Sequence, residues 1–306
     1  MAERVPPEIQ TWRAGGRDLT ILGRRVFARM DGTEDGDPVL YLHGFPTSSY
    51  DLAPALPHLT RGRRVVCHDH LGFGLSEKPV DYSYSLVEQA EVALAVWRSF
   101  GVERGHVVAH DYGTSVATEL CARAVRDVLP FKLLSVTFCN GSMLLELAKL
   151  RVTQRLLRSK VTGPAFARLA SRRMFVNQLK RIFARPDAVS DQELDLHWWL
   201  SFHGGGTRRL PQISSYLHER VRFRERWIGS LSRLAAKGIR VNVVWAMRDP
   251  IAVSEIATRV GALTGTQVRW LDQLGHYPML EDPAAWAAAV EAGLTSSAKA
   301  SPASPA

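Results

Sequence analysis

The sequence predicts an α/β protein, a mainly parallel sheet flanked by helices and interrupted once by a helical insertion. Three observations carry that expectation. Short apolar runs alternate with helical patterns as far as residue 292. The alternation stops between about residues 140 and 230, where the pattern becomes helical and basic. The 306 residues, 46% hydrophobic and 23% charged, suit one large α/β unit and exclude a disordered or collagen-like chain. No uncharged stretch reaches the roughly 18 residues that a membrane span needs.

Taken in order, Val39-Leu40-Tyr41-Leu42 reads as a buried strand followed by a loop and a helix, and Arg64-Val65-Val66-Cys67 as the next strand. Residues 86–100 place Val87, Ala90, Val92, Ala93, Ala95 and Val96 at helical spacing, and Gly101 stops that helix. Val107-Val108-Ala109 is a strand, residues 114–125 the helix after it, and residues 133–138 a further strand. Beyond the insertion, Val241-Asn242-Val243-Val244-Trp245 and Val268-Arg269-Trp270-Leu271 are strands, with helices near Ile256 and Trp286. The reading therefore assigns residues 1–140 and 231–294 to an α/β core and 141–230 to a helical cap. Residues 295–306, rich in Ser, Ala, Pro and Lys, are expected to be a disordered tail.

Formal net charge is +9, from 39 Lys and Arg against 30 Asp and Glu. Residues 151–230 alone hold 16 basic and 6 acidic residues, which accounts for the whole surplus. Such asymmetry suggests a module facing something negative or amphiphilic. No zinc-finger spacing, basic-zipper heptad or RNP-like aromatic motif accompanies it, so nucleic acid is not an expected partner. Residues 151–183 mix Leu156, Leu157, Phe166, Leu169, Met174, Phe175, Leu179, Ile182 and Phe183 with many arginines, a pattern suited to peripheral contact with an anionic membrane. A solvated positive face on a helical lid is the plainer reading. Cys67, Cys121 and Cys139 lie far apart without paired spacing and fit reduced thiols in a cytoplasmic setting. Residues 1–7 have no apolar run behind their charges, so no secretory signal is expected.

The strongest chemical signal is Val107-Val108-Ala109-His110-Asp111-Tyr112-Gly113-Thr114. A strand running straight into a helix through small residues is the setting of a nucleophile elbow, whose sharp turn leaves no room for side chains two positions either side of the nucleophile. Ala109 and Gly113 meet that requirement around Asp111. A second register, Gly113-Thr114-Ser115-Val116-Ala117, nearly spells GxSxG and would make Ser115 the nucleophile. That register carries the strand through Asp111 and buries a carboxylate in it, so the Asp111 register is preferred.

Leu42-His43-Gly44-Phe45-Pro46 ends an early strand, and the backbone N–H groups of Phe45 and Tyr112 are the candidate oxyanion hole. Near the C-terminus, Arg248-Asp249-Pro250 follows one strand and Gly275-His276-Tyr277-Pro278 the next. Asp111, Asp249 and His276 then stand in the chain order nucleophile, acid, base, with Asp272 as reserve acid. His68-Asp69-His70 lacks further ligands at metal spacing, and Gly72 with Gly74 is too little for a phosphate cradle. No metal, nucleotide or flavin cofactor is implied.

His110-Asp111-Tyr112-Gly113, His43-Gly44-Phe45-Pro46, Asp69-His70-Leu71-Gly72-Phe73-Gly74-Leu75-Ser76 and the Asp249/His276 pair resemble the epoxide hydrolase and haloalkane dehalogenase branch of the α/β-hydrolase fold. Within that branch, residues 43–51, the elbow, Phe223-Arg224-Glu225-Arg226-Trp227, and His276-Tyr277-Pro278 with Glu281-Asp282-Pro283 resemble the mesoderm-specific transcript protein and its bacterial relatives. The similarity covers most of residues 35–290. It implies an eight-stranded, mainly parallel sheet with helices on both faces and an inserted helical cap. It also implies that the Asp attacks an sp3 carbon of a hydrophobic or amphiphilic small molecule. The covalent alkyl-enzyme ester is then hydrolysed by water that the His activates and the second Asp helps to orient.

Two departures bear on the substrate. Dehalogenases of this branch clamp halide with a Trp after the nucleophile and an Asn or Trp elsewhere, whereas the matching positions here are Tyr112 and Phe45, which argues against dehalogenation. Epoxide hydrolases of the branch protonate the epoxide from two cap tyrosines, whereas residues 141–230 contain one, Tyr216. His197 and His203 are the available substitutes, although Trp198 and Trp199 beside His197 equally suit cap packing. His43, His110, His197 and Trp198 are candidate pocket residues. Two other readings stay open: a serine-type esterase, thioesterase or lipid acyl-transfer enzyme using Ser115, and a non-catalytic, ligand-binding member of the fold.

Overall fold

A computed structural model of the protein describes residues 4–159 and 161–295. Its strands are β1 (Gly16–Ile21), β2 (Arg24–Gly32), β3 (Val39–Leu42), β4 (Arg64–His68), β5 (Arg104–His110), β6 (Lys132–Cys139), β7 (Arg240–Ala246) and β8 (Val268–Leu271). They form one eight-stranded sheet in the order β1-β2-β4-β3-β5-β6-β7-β8. β2 pairs antiparallel with both β1 and β4, and every neighbour from β4 to β8 is parallel. The eight-stranded, mainly parallel sheet expected from the sequence is therefore present.

The helices are α1 (Pro7–Ala14), α2 (Leu56–Leu59), α3 (Leu86–Ser99), α4 (Tyr112–Val125), α5 (Val152–Arg158), α6 (Thr162–Arg168), α7 (Arg172–Lys180), α8 (Asp191–Phe202), α9 (Gly206–Ile213), α10 (Tyr216–Arg222), α11 (Arg224–Leu231), α12 (Ser254–Thr264), α13 (Pro278–Glu281) and α14 (Pro283–Thr295). Among the described residues no helix is long and apolar enough to cross a membrane. Successive side chains of a strand point to opposite faces of a sheet, and the two core clusters follow that alternation. Leu40, Leu42, Val107 and Ala109 pack with α3, α4 and α12, while Val39, Tyr41, Val65 and Val108 pack with α1, α2 and α14. Because both faces are covered, β3, β5 and β7 read as continuous apolar runs, which is why they were legible.

The sequence reading missed α1, β1 and β2. β1, Gly-Arg-Asp-Leu-Thr-Ile, buries only Ile21 and so carries no apolar run. α4 begins at Tyr112, two residues earlier than expected, because the chain turns at Asp111 straight into the helix. Thr295 belongs to α14, and the remainder of the expected disordered tail, residues 296–306, lies outside the described residues.

Between β6 and β7 the chain runs through α5 to α11. Glu119 of α4 ties this insertion to the core, and its side chain is fully buried. One carboxylate oxygen accepts from Trp227 Nε1 at 2.8 Å, and the other accepts from Arg226 and Arg123. The Arg-Trp pair in Phe223-Arg224-Glu225-Arg226-Trp227 is thus an anchor, and a buried carboxylate is tolerable there because cations and donors surround it.

Candidate active site

β5 delivers Asp111 at the carboxyl end of a central strand, where open α/β sheets place their ligands. The residue adopts φ 42° and ψ −105°, a backbone conformation that a non-glycine residue holds only when its surroundings impose it. Gly113 lets the turn close: a Cβ there would sit 2.3 Å from the Leu42 carbonyl oxygen of β3. The Gly113 N–H donates to the His43 carbonyl at 3.0 Å, joining the elbow to the His43-Gly44-Phe45-Pro46 loop.

The Asp111 carboxylate is buried. Its Oδ2 accepts from the Phe45 N–H at 2.9 Å. Its Oδ1 has no hydrogen-bond partner among the described residues and lies 3.9 Å from His276 Nε2. The other imidazole nitrogen, Nδ1, is 2.7 Å from Asp249 Oδ2. Asp249 is held in turn by the N–H groups of Ile251 and Ala252 on Oδ1, at 2.7 and 3.0 Å, and by Asn140 Nδ2 on Oδ2 at 2.8 Å. Burial alone would push the His276 imidazole below its usual value. The Asp249 carboxylate beside it, then those of Asp111 and Glu281, outweigh burial and raise it. The residues the sequence put forward as nucleophile, acid and base therefore meet, from loops after β5, β7 and β8, while Asp272 is exposed at the surface.

Above this cluster a mostly apolar cavity opens between the core and the insertion. Phe45, Pro46, Ile251 and His276 form its floor, α5, α6 and α7 its walls, with Phe202 and Leu210 completing them. Asp111 sits directly behind that floor, against Phe45 and His276. Tyr112 leads α4, so its N–H stands next to the Asp111 carboxylate in the chain.

Four residues expected in the pocket do not line it. His43 is a structural brace: its Nδ1 donates to the Gly44 carbonyl at 2.8 Å and its Nε2 accepts from the His70 N–H at 3.0 Å. His110 donates from Nε2 to the His276 carbonyl at 2.7 Å, fixing the loop that carries the imidazole. Burial lowers both, His43 to about 3 and His110 to about 4, so both are neutral braces. His197 packs against Tyr50 on the far side of α8, and Trp198 packs on Phe175 and Phe202. Helix packing buries His197 and half-buries Trp198, which the sequence pattern alone does not distinguish from a pocket wall. His203, the other substitute weighed, stacks on Trp199 and bonds its carbonyl.

Tyr216 heads α10, fully buried, with its ring 5.9 Å from Phe45 and 5.2 Å from Tyr112. It stands one aromatic ring behind the cavity floor. Burial raises its phenol well above the usual range, and Arg220, 4.6 Å over its ring, acts the other way.

Sequence reasoning missed Asn140 and Arg220. Asn140 follows β6 with φ 44°, and besides holding Asp249 it accepts from the Ala246 N–H at 3.0 Å. A polar residue at the carboxyl end of a central strand was the available signal. Arg220, one of many arginines in its segment, carried none. It is 2% exposed and reaches under the elbow. Its Nε donates to Ser115 Oγ at 2.7 Å, a second nitrogen to Ser142 Oγ, and the third to the Asp111 carbonyl at 3.4 Å.

Among the described residues no three His, Cys, Asp or Glu side chains are placed to hold an ion. In His68-Asp69-His70 the Asp69 carboxylate is taken by Ser49 N, Ser49 Oγ and Leu75 N at 2.8, 2.6 and 2.6 Å. A Cβ on Gly74 would meet that carboxylate at 2.1 Å, so Gly72-Phe73-Gly74 is a turn wrapped on Asp69.

Comparison with known proteins agrees with this architecture. The profile of the alpha/beta hydrolase fold family matches residues 37–283. The chain is 41% identical over 284 residues to LipZ of Mycobacterium tuberculosis, covering 92% of this chain and 96% of that one. It is 32% identical over 294 residues to the mesoderm-specific transcript protein of Mus musculus, covering 92% and 86%. Among solved structures it is similar to the haloalkane dehalogenase DbeA of Bradyrhizobium elkani, with a TM-score of 0.74, 24% identity and coverage of 90% and 98%.

Proposed function

We propose that this chain, which belongs to the alpha/beta hydrolase fold family, is a hydrolase with Asp111 as nucleophile, His276 as base and Asp249 as the residue that orients the base. In this reading the helical insertion is a cap over an apolar substrate site, and the chemistry is that of an epoxide hydrolase. The observation that carries it is the division of labour at Asp111. One carboxylate oxygen is held by the Phe45 N–H, and the other is unpartnered and faces His276 Nε2.

The carboxylate attacks a carbon of the epoxide, the C–O bond breaks, and an ester to Asp111 forms while the leaving oxygen takes a proton. We assign that proton to the hydroxyl of Tyr216, whose ring packs between Phe45 and Tyr112 behind the floor. Esterification removes the negative charge of Asp111, one of the charges that raise His276. The imidazole therefore becomes easier to deprotonate at the step where it must act as base. His276 then takes a proton from water, which adds to the ester carbon. The resulting oxyanion lies on the Phe45 and Tyr112 N–H groups. Its collapse breaks the ester C–O bond, and the departing oxygen takes the proton held by His276 to release the diol. The proton left on the Asp111 carboxyl returns to the Tyr216 phenolate, restoring the carboxylate.

The serine register has less support. Ser115 Oγ is buried in the first turn of α4 and accepts from Arg220, with no histidine bonded to it among the described residues. Tyr112 and Phe45 at the halide-clamp positions likewise favour an oxygen leaving group over a halide. The cavity walls, dominated by side chains such as Leu157, Phe166, Leu179 and Ile182, suit an apolar substrate body. A single-turnover reaction in 18O-labelled water on a panel of aliphatic and aromatic epoxides and esters tests the reading. Label in the Asp111 peptide is expected. Label in product alone points to the serine route, and no turnover across the panel points to a non-catalytic ligand-binding protein.

A further inference from the structure

We infer that the outer face of α5, α6 and α7 is a docking surface for an anionic phospholipid bilayer, which brings the cavity between these helices to the membrane surface. Three observations on these helices and the residues that flank them combine. Residues 151–186 contain ten Lys and Arg and no Asp or Glu. Arg155, Arg168, Arg173 and Arg181 of this stretch are exposed and make no ion pair among the described residues. Exposed apolar side chains stand among them: Val152, Val161 and Leu169 are 69%, 86% and 71% exposed.

Charge alone would suit any polyanion; the interleaved apolar residues select a bilayer, because they gain only where hydrocarbon lies beneath the phosphates. The helices divide their faces accordingly. On α5, Gln154 and Leu157 face the cavity while Val152 and Arg155 face outward; on α6, Phe166 and Ala167 face in while Arg168 faces out. A nucleic acid would engage the arginines and leave Val161 and Leu169 in water. The inference extends the apolar-substrate reading by naming where such a substrate is met, yet its test does not use turnover, so either can fail alone.

The full chain is sedimented with vesicles of phosphatidylserine and phosphatidylcholine, with pure phosphatidylcholine vesicles, and titrated with a DNA oligonucleotide. Binding to the anionic vesicles only, weakening with salt, is expected. Replacing Arg155, Arg168 and Arg173 together by Gln should weaken partitioning roughly a hundredfold, at about fivefold per charge. V161S with L169S, which leaves charge unchanged, should weaken it about tenfold or more. All five positions are exposed, so far-UV circular dichroism and urea midpoints should match the parent. The inference is overturned by absent vesicle binding, by equal binding to phosphatidylcholine, or by V161S/L169S without effect alongside arginine-dependent binding to DNA.

Discussion

Replacing Gly113 by Ala tests whether the elbow is built as described, without needing a substrate. The residue lies inside α4, where Ala is ordinarily better than Gly by about 1 kcal/mol. Here the added methyl would stand 2.3 Å from the Leu42 carbonyl oxygen and 2.7 Å from its carbon. Those atoms belong to β3, locked between β4 and β5, so neither can step aside as a flexible side chain would. Overpacking of this kind costs about 3 kcal/mol at the upper end of the usual range, which leaves a net loss of about 2 kcal/mol after the helix gain. Gly229 in α11 is the control: it is exposed, and a Cβ there meets nothing within 4 Å. Its change to Ala should stabilise by about 0.5–1 kcal/mol. Urea unfolding should therefore separate the two variants by roughly 3 kcal/mol in opposite directions from the parent. If Gly113→Ala is as stable as the parent, the tight approach of α4 to β3 is wrong, and with it the aim of Asp111.

His276→Gln should leave the first half-reaction and block the second, so an epoxide that reacts should raise the intact mass by that of one substrate, with the added mass mapped to Asp111. Asn140→Ala frees one oxygen of Asp249 and should cost about 1–2 kcal/mol of stability; kcat should fall with little change in KM, because the imidazole loses its fixed orientation. Acidification should destabilise the fold. His43 near 3, His68 near 4 and His110 near 4 are all depressed, first of all by burial, below the 6.5 of the unfolded chain. The unfolded chain then binds protons that the folded one refuses. The stability these groups contribute is present above pH 6.5 and is lost as pH falls toward 4, at about 1.4 kcal/mol per pH unit for each histidine. Asp51, raised to about 7 by burial, opposes with a single proton over that window. Urea midpoints at pH 7.5 and 5 check the sign, and a midpoint that rises on acidification would contradict it.

What the sequence determined by itself was whatever is local. Buried parallel strands announce themselves as apolar runs because both of their faces are covered. The elbow shows itself because Ala109 and Gly113 must be small within five consecutive residues, and the order Asp111, Asp249, His276 survives as spacing along the chain. β1 escaped because an edge strand keeps one face in water and needs no apolar run, and β2 because its three consecutive buried residues, Val26, Phe27 and Ala28, stand between arginines. Tertiary structure alone decided which polar side chains share a space. His43, His110 and His197 look alike in sequence to His276, yet three are packed or braced and one meets two carboxylates. Arg220 lies 105 positions from Ser115 in sequence and still donates to its hydroxyl. Nothing in the local pattern marks such a contact, since only the docking of α10 under the elbow brings the two together.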